Sequence, residues 1–307
     1  MKHLLFVKKE VYFNHLAHLL QILYFCAILV FSILYLGGNT MILSNVREQV
    51  PLIHCITNYV TVNDVANVLL ACGGSPIMAD DAQEAEEITS ICKGTVINIG
   101  TLNSRTISSM LLAGKKANEI GNIVVLDPVG AGATALRTQT TLQLLQQIQF
   151  SVIRGNISEI KTIYQGSGTT KGVDADISDA VTEQNIVQAV SFAKQLSKKT
   201  GAVIAITGAI DIVADSNKAY VIRNGHAMMS KITGTGCMLT AMIAAYCAAN
   251  PNDILKATVC AVSAMGYCGE LAFQKCSGTS SFRMHLIDEI SKLDDKTLQG
   301  GCNIESR

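Results

Sequence analysis

The chain has no tryptophan, four prolines in 307 residues, and only 16% charged side chains. So few prolines exclude Pro-rich linker architectures, and 24 glycines without a fixed period exclude a collagen-like chain. The low charge comes with 49% apolar residues, enough to bury a large core and unlike a disordered chain. Neither sign of charge is in excess, since 24 Lys and Arg balance 24 Asp and Glu. A sequence-independent nucleic-acid binder needs a basic surplus to displace counterions, so no nucleic-acid partner is expected. The ten cysteines include no C-x-x-C pair and the six histidines no H-x-x-x-H pair. Structural zinc and thioredoxin-like redox sites therefore lack sequence support. Cys72, Cys247, Cys260 and Cys268 lie inside apolar helical runs and read as buried free thiols.

The first forty residues stand apart. Residues 19–36 form an uncharged run of 18, long enough for a membrane span, preceded by Lys2, Lys8 and Lys9. An anchor, a cleaved signal peptide, and an extension upstream of a true start at Met41 are the three readings. No A-x-A site follows the run, and the odd cysteine count beyond Met41 suits export poorly. The expectation is an extension outside the fold (1–40), a single domain over 41–307, and a cytoplasmic protein. Membrane contact is expected only if residues 19–36 are retained.

From Pro51 onward short β-rich runs alternate with amphipathic segments. Strands are expected at 51–56, 75–80, 94–100, 122–127, 151–155 and 202–207. Helices are expected at 63–71, 82–92, 104–120, 135–148 and 183–197. Near-continuous Val and Ile in the strands imply burial on both faces, as in a parallel sheet with helices outside. After Thr207 the rhythm changes: 211–215 and 219–224 suggest a hairpin, followed by two Ala-rich helices near 236–249 and 252–274. The fold class is α/β, with a mostly parallel central sheet flanked by helices. Ligands of such folds sit beyond the carboxyl ends of the strands.

Three loops carry chemistry. In the first, Asp127-Pro128-Val129-Gly130-Ala131-Gly132 follows an apolar strand. Gly130-x-Gly132-x-x-Ala135 loosely fits a dinucleotide fingerprint, but the acid expected about 20 residues on is missing. Asp127 instead suits a hydrated divalent cation, or simply caps its turn. In the second, Arg154-Gly155-Asn156 precedes Glu159, with Asn156 a plausible N-cap and Glu159 its N3 partner. Arg154 offers a fork for phosphate oxygens. Glu159 could share a metal-bound water with Asp127. In the third, Thr233-Gly234-Thr235-Gly236-Cys237 opens an apolar helix, whose first amides point at one spot and favour an anion. Cys237 in that first turn is expected to have a lowered pKa. A tight turn and a small buried thiol are the plainer alternatives.

These loops, with Thr57-Asn58-Tyr59-Val60, Asn63-Asp64, residues 74–79 and Ile206-Thr207-Gly208, resemble the hydroxyethylthiazole kinases of the ribokinase-like superfamily. The resemblance implies a ribokinase-like three-layer sandwich. It also implies transfer of the ATP γ-phosphoryl group to the alcohol of 4-methyl-5-(2-hydroxyethyl)thiazole, with Mg²⁺, by a homotrimer. Met78, Asn58 and Gly234 would contact the thiazole, and Arg154 and Thr207 would bind ATP. Asp127 and Glu159 would organise magnesium, the latter through water. Gly234, Thr235 and Gly236 would form an anion hole beside Cys237, the catalytic residue, where many ribokinase-like kinases carry Asp. A base that is mostly thiol near pH 7 implies slow turnover. The segment 164–176 is expected to be longer than usual for the family. Other readings are a dehydrogenase at Gly130–Ala135, a hydroxymethylpyrimidine kinase, and a noncatalytic thiazole-binding or membrane-tethered protein.

Overall fold

A computed structural model describes residues 41–166 and 180–307. The uncharged run 19–36 and most of the segment 164–176 lie outside the described residues.

The central sheet runs through nine strands in the order β2-β1-β3-β4-β5-β6-β7-β8-β9. These are β1 (Leu52–Ile56), β2 (Ser75–Ile77), β3 (Gly94–Asn98), β4 (Ile123–Asp127), β5 (Val152–Gly155), β6 (Val203–Ile206), β7 (Asp211–Ala214), β8 (Ala219–Ile222) and β9 (Ile304–Ser306). Pairings from β2 through β6 are parallel, and β6 through β9 are antiparallel. The expected hairpin is thus present, and the expected parallel strands are found within one or two residues, except the 75–80 run, which ends at Ile77. The closing edge strand β9 had no expectation. It is three residues long and earns its place by pairing with β8.

Alternation in the strands makes the three layers. Ile123 and Val125 of β4 face one apolar cluster, and Val124 and Leu126 face the other. The first layer holds α1 (Ile42–Gln49), α2 (Val62–Cys72), α8 (Thr235–Ala249), α9 (Ile254–Lys275) and α10 (Thr279–Lys292). The second holds α4 (Ser104–Glu119), α5 (Ala135–Gln147), α6 (Ile157–Gln165) and α7 (Ile186–Thr200). Short helices α3 (Ala85–Ile91) and α11 (Asp295–Gly301) and a 3₁₀ turn (Ala227–Lys231) complete the elements of the described residues. Helix α3 starts three residues later than the apolar pattern suggested, after an Asp81-capped turn.

Helix α8 is apolar all round and lies inside its layer against α9, α2, α1 and the sheet. Helix α9 is long and apolar enough to cross a membrane, but its most apolar window is two-thirds buried within the fold, as in a core helix. The packing of α8 matters for function because it fixes where that helix begins. Its first turn sits over the carboxyl ends of β1, β3 and β4, at the point where strand order reverses between β1 and β3.

Candidate functional site

Parallel pairing brings the carboxyl ends of β1, β3, β4, β5 and β6 to one edge of the sheet. Asn98 and Asp127 are register partners at the ends of β3 and β4. Asp127 is fully buried. Its Oδ2 accepts from Asn98 Nδ2 at 2.8 Å and from Thr240 Oγ1 at 2.9 Å. Its Oδ1 lies 3.6 Å from Arg154 Nη1 and has no hydrogen-bond donor among the described residues. Burial pushes the Asp127 carboxyl up, opposed by Arg154, Thr240 and Asn98.

Arg154 projects from β5 and donates from Nη2 to Thr207 Oγ1 at 2.6 Å, just past β6. Thr207 opens a turn in which Gly208 N–H donates to Asp211 Oδ1 at 2.8 Å. Burial pushes the Asp211 carboxyl up to about 7, against the Gly208 amide and Arg154. Arg154 also lies against Gly236, where an added Cβ would fall on the guanidinium. The two phosphate-binding candidates, the arginine and the glycine turn, are therefore in contact.

The capping box at Asn156 is present. Asn156 Oδ1 accepts from Glu159 N at 2.9 Å, and Glu159 Oε2 accepts from Asn156 N at 2.8 Å. Such a box is worth about 1 kcal/mol to its helix. Glu159 does more, since its Oε1 accepts from Gly130 N at 2.7 Å. It thereby ties the β4 loop to the start of α6. Burial, then the neighbouring Asp127, push the Glu159 carboxyl up to about 7, against the two amides and Arg154. The Gly130 amide that a dinucleotide pyrophosphate would need is taken by this carboxylate. Arg137 folds over the same loop, donating to the carbonyls of Ile99, Val129 and Gly100 at 2.9, 2.5 and 2.7 Å. The Gly130–Ala135 segment is thus a braced turn.

Helix α8 begins at Gly234, whose φ of +91° is a conformation favoured by glycine. A Cβ there would also meet the Thr61 methyl group at 2.7 Å. Cys237 in the first turn is half-buried. Asn58 Nδ2 lies 3.2 Å and Asn98 Nδ2 3.3 Å from its Sγ. The expected lowering of the Cys237 pKa is overturned. Burial and the neighbouring Asp127 carboxylate push the thiol up, and Thr61, Asn58 and Arg154 only partly oppose them. The helix terminus favours the thiolate, but desolvation is the larger effect here.

Asn58, Asp127, Arg154, Glu159, Thr207 and the Gly234–Cys237 turn are therefore neighbours at one end of the sheet. Met78 is an apolar side chain outside the hydrogen-bonded network. It follows the edge strand β2, half-buried against the same core cluster on which the partly buried Met228, Met229 and Cys237 also pack. The motifs had not pointed to Asn98 or Thr240, each of which touches Asp127. Asn98 could have been found by the rule that marks Asp127, a polar residue ending an apolar strand. Thr240, inside an apolar helix, carries no such signal.

The hydroxyethylthiazole kinase family model matches residues 43–296. A hydroxyethylthiazole kinase from Clostridium acetobutylicum is 61% identical over 267 residues, covering 86% of this chain and 98% of that protein. A solved hydroxyethylthiazole kinase structure from Pyrococcus horikoshii superposes with a TM-score of 0.78 at 34% identity, over 87% of this chain and 97% of that one. A ribokinase-like superfamily protein from Enterococcus faecalis shares the fold alone, with a TM-score of 0.56 at 11% identity over 83% of this chain and 90% of that one. The chain belongs to the hydroxyethylthiazole kinase family, on a ribokinase-like fold.

Proposed function

We propose that the chain transfers the γ-phosphoryl group of ATP to the hydroxyl of 4-methyl-5-(2-hydroxyethyl)thiazole, using the site at the carboxyl ends of β1 and β3–β6. The observation that carries the reading is the contact between Arg154 and the Gly236 turn, beside Asp127. A guanidinium and a helix N-terminus then stand side by side, where both can stabilise the negative charge of a transferring phosphoryl group.

In this reading Arg154 and Thr207 bind the ATP phosphates, and the amides of Gly234, Thr235 and Gly236 receive the transferring group. Cys237 takes the alcohol proton as the oxygen attacks. Because its thiol is held protonated by burial and Asp127, few molecules carry the thiolate at neutral pH, and turnover is slow. Asn58 and Met78 line the thiazole side.

The donor set also fits magnesium. Mg²⁺ keeps most of its waters and takes one or two carboxylates plus substrate phosphates. Asp127 offers a buried oxygen with no donor, and Glu159 a carboxylate with both oxygens already holding amides. Among the described residues no three His, Cys, Asp or Glu form a direct cage. Asp127 and Glu159 would therefore hold the ion through its water shell, where it supplies charge neutralisation for the phosphates. A homotrimer and a cytoplasmic location complete the reading.

The test is magnesium-dependent ATP consumption by protein starting at Met41. It is offered the hydroxyethylthiazole alcohol, hydroxymethylpyrimidine and pyridoxal in parallel. Turnover with the thiazole alone is expected. Turnover with another alcohol instead would discard the thiazole pocket, and thiazole binding without turnover would favour a binding protein.

A further inference from the structure

Both asparagines beside Cys237 are locked in orientation by partners that leave no choice. Thr61 N–H, a donor only, meets Asn58 Oδ1 at 3.2 Å. Gly100 N–H, a donor only, meets Asn98 Oδ1 at 2.9 Å. Asp127 Oδ2, when ionised an acceptor only, meets Asn98 Nδ2 at 2.8 Å. Each amide must therefore present its NH₂ group toward the sulfur. Asn58 Nδ2 spends one hydrogen on Asn98 Oδ1 at 3.0 Å and has one left for Sγ. Asn98 Nδ2 spends one on Asp127 and has one left for Sγ. Every donor and acceptor of the Asn98 side chain is thus used, and two N–H groups converge on one sulfur.

We propose that Asn98 and Asn58 form a two-donor cradle that holds Cys237 Sγ as a hydrogen-bond acceptor, with Asn98 the positioning residue tying that sulfur to Asp127. The inference rests on the phosphoryl-transfer reading for its consequence in turnover, but its chemistry is independent of substrate. A sulfur facing two fixed donors is stabilised as thiolate, because hydrogen bonds to the charged form favour it. The charged groups acting on Cys237 are Asp127, which disfavours the thiolate, and Arg154, which favours it. Asn98 stands between the thiol and the first of these. It satisfies Asp127 Oδ2 with one hydrogen and turns the other to the sulfur, so the carboxylate that opposes ionisation also fixes the donor that permits it. In turnover the alcohol O–H bond breaks and its proton passes to the sulfur, while the oxygen–phosphorus bond forms and ADP leaves. Asn98 exchanges no proton in this step.

The test measures alkylation of Cys237 by iodoacetamide across pH, mapped by mass to the peptide containing that residue, without ATP or thiazole. Wild type is compared with Asn98→Ala and Asn98→Leu. The leucine keeps a similar volume but brings neither a donor nor a charge to the place where Nδ2 stood. The alkylation midpoint is expected to rise by about one pH unit or more in both variants. The acid limb of kcat is expected to rise with it, while KM for ATP changes by less than about threefold. A merely structural role would lower kcat at every pH and leave the midpoint in place. An unmoved midpoint in a folded variant overturns the proposal, and should Asn98→Ala fail to fold, Asn98→Leu decides it. Absence of kinase turnover in wild type would defeat the functional reading, whereas the alkylation midpoint tests the cradle regardless.

Discussion

Arg154 Nη1 stands 3.6 Å from Asp127 Oδ1, an oxygen that no hydrogen-bond donor reaches among the described residues. The guanidinium is held by Thr207 through its other nitrogen, so it is aimed at Asp127 without being closed onto it. In Arg154→Ala the fully buried Asp127 loses its cation, and breaking a buried pair costs about 3 kcal/mol. Loss of ATP affinity exceeding loss of thiazole affinity is the expected outcome, measured by calorimetric titration of each ligand. Equal losses would remove Arg154 from the ATP side.

Gly236→Ala separates the turn from the fold. The added Cβ meets the Arg154 guanidinium, whose displacement also weakens its pairing with the buried Asp127, so the fold is expected to lose about 1–3 kcal/mol and still form. The displaced guanidinium no longer faces the transferring group, and kcat is expected to fall by about a hundredfold. Chemical denaturation together with steady-state kinetics checks both parts. A variant with normal kcat would show that the contact between Gly236 and Arg154 is unimportant to turnover.

Glu159 makes stability depend on pH. Its folded pKa of about 7 lies above the ordinary 4.5, so the folded state holds the proton more tightly. The proton's contribution is fully present below pH 4.5 and is lost as pH rises through about 7. Asp211, also pushed up to about 7, acts with the same sign. Glu159→Gln cannot ionise, so the stability advantage of wild type over the variant is expected to shrink between pH 5 and 7.5. Melting temperatures of both proteins across that range, without ATP or magnesium, check this. A constant or widening advantage would show that Glu159 is ionised throughout.

Much of this fold was legible because the apolar strands read the same at every level. IVVLD in β4 is buried on both faces and needs no partner information to be recognised. The start of helix α6 was also legible, since Asn156 and Glu159 form the capping box their spacing implies, but its extent was not. Helices α10 and α11 were not foreseen, nor was β9, which lies on the sheet edge and is stabilised by β8. Motifs gathered the correct loops of the site but misjudged its electrostatics. A helix start suggested an acidic Cys237, yet burial under the packed fold, and then Asp127, a residue 110 positions earlier, push its thiol the other way. Asn98 escaped notice because its role lies in its register opposite Asp127. Such relationships are set by pairing between strands, which local sequence does not encode.

The most direct measurement of the central claim follows label from γ-³²P-ATP into the thiazole alcohol, with wild type and Asp127→Asn side by side. Asparagine keeps the shape and the contact with Thr240 but lacks the charge paired with Arg154. Wild type is expected to yield labelled thiazole phosphate, and the folded variant at least about a hundredfold less. Label transfer that persists at the wild-type rate in Asp127→Asn, or its absence from wild type, would contradict the account.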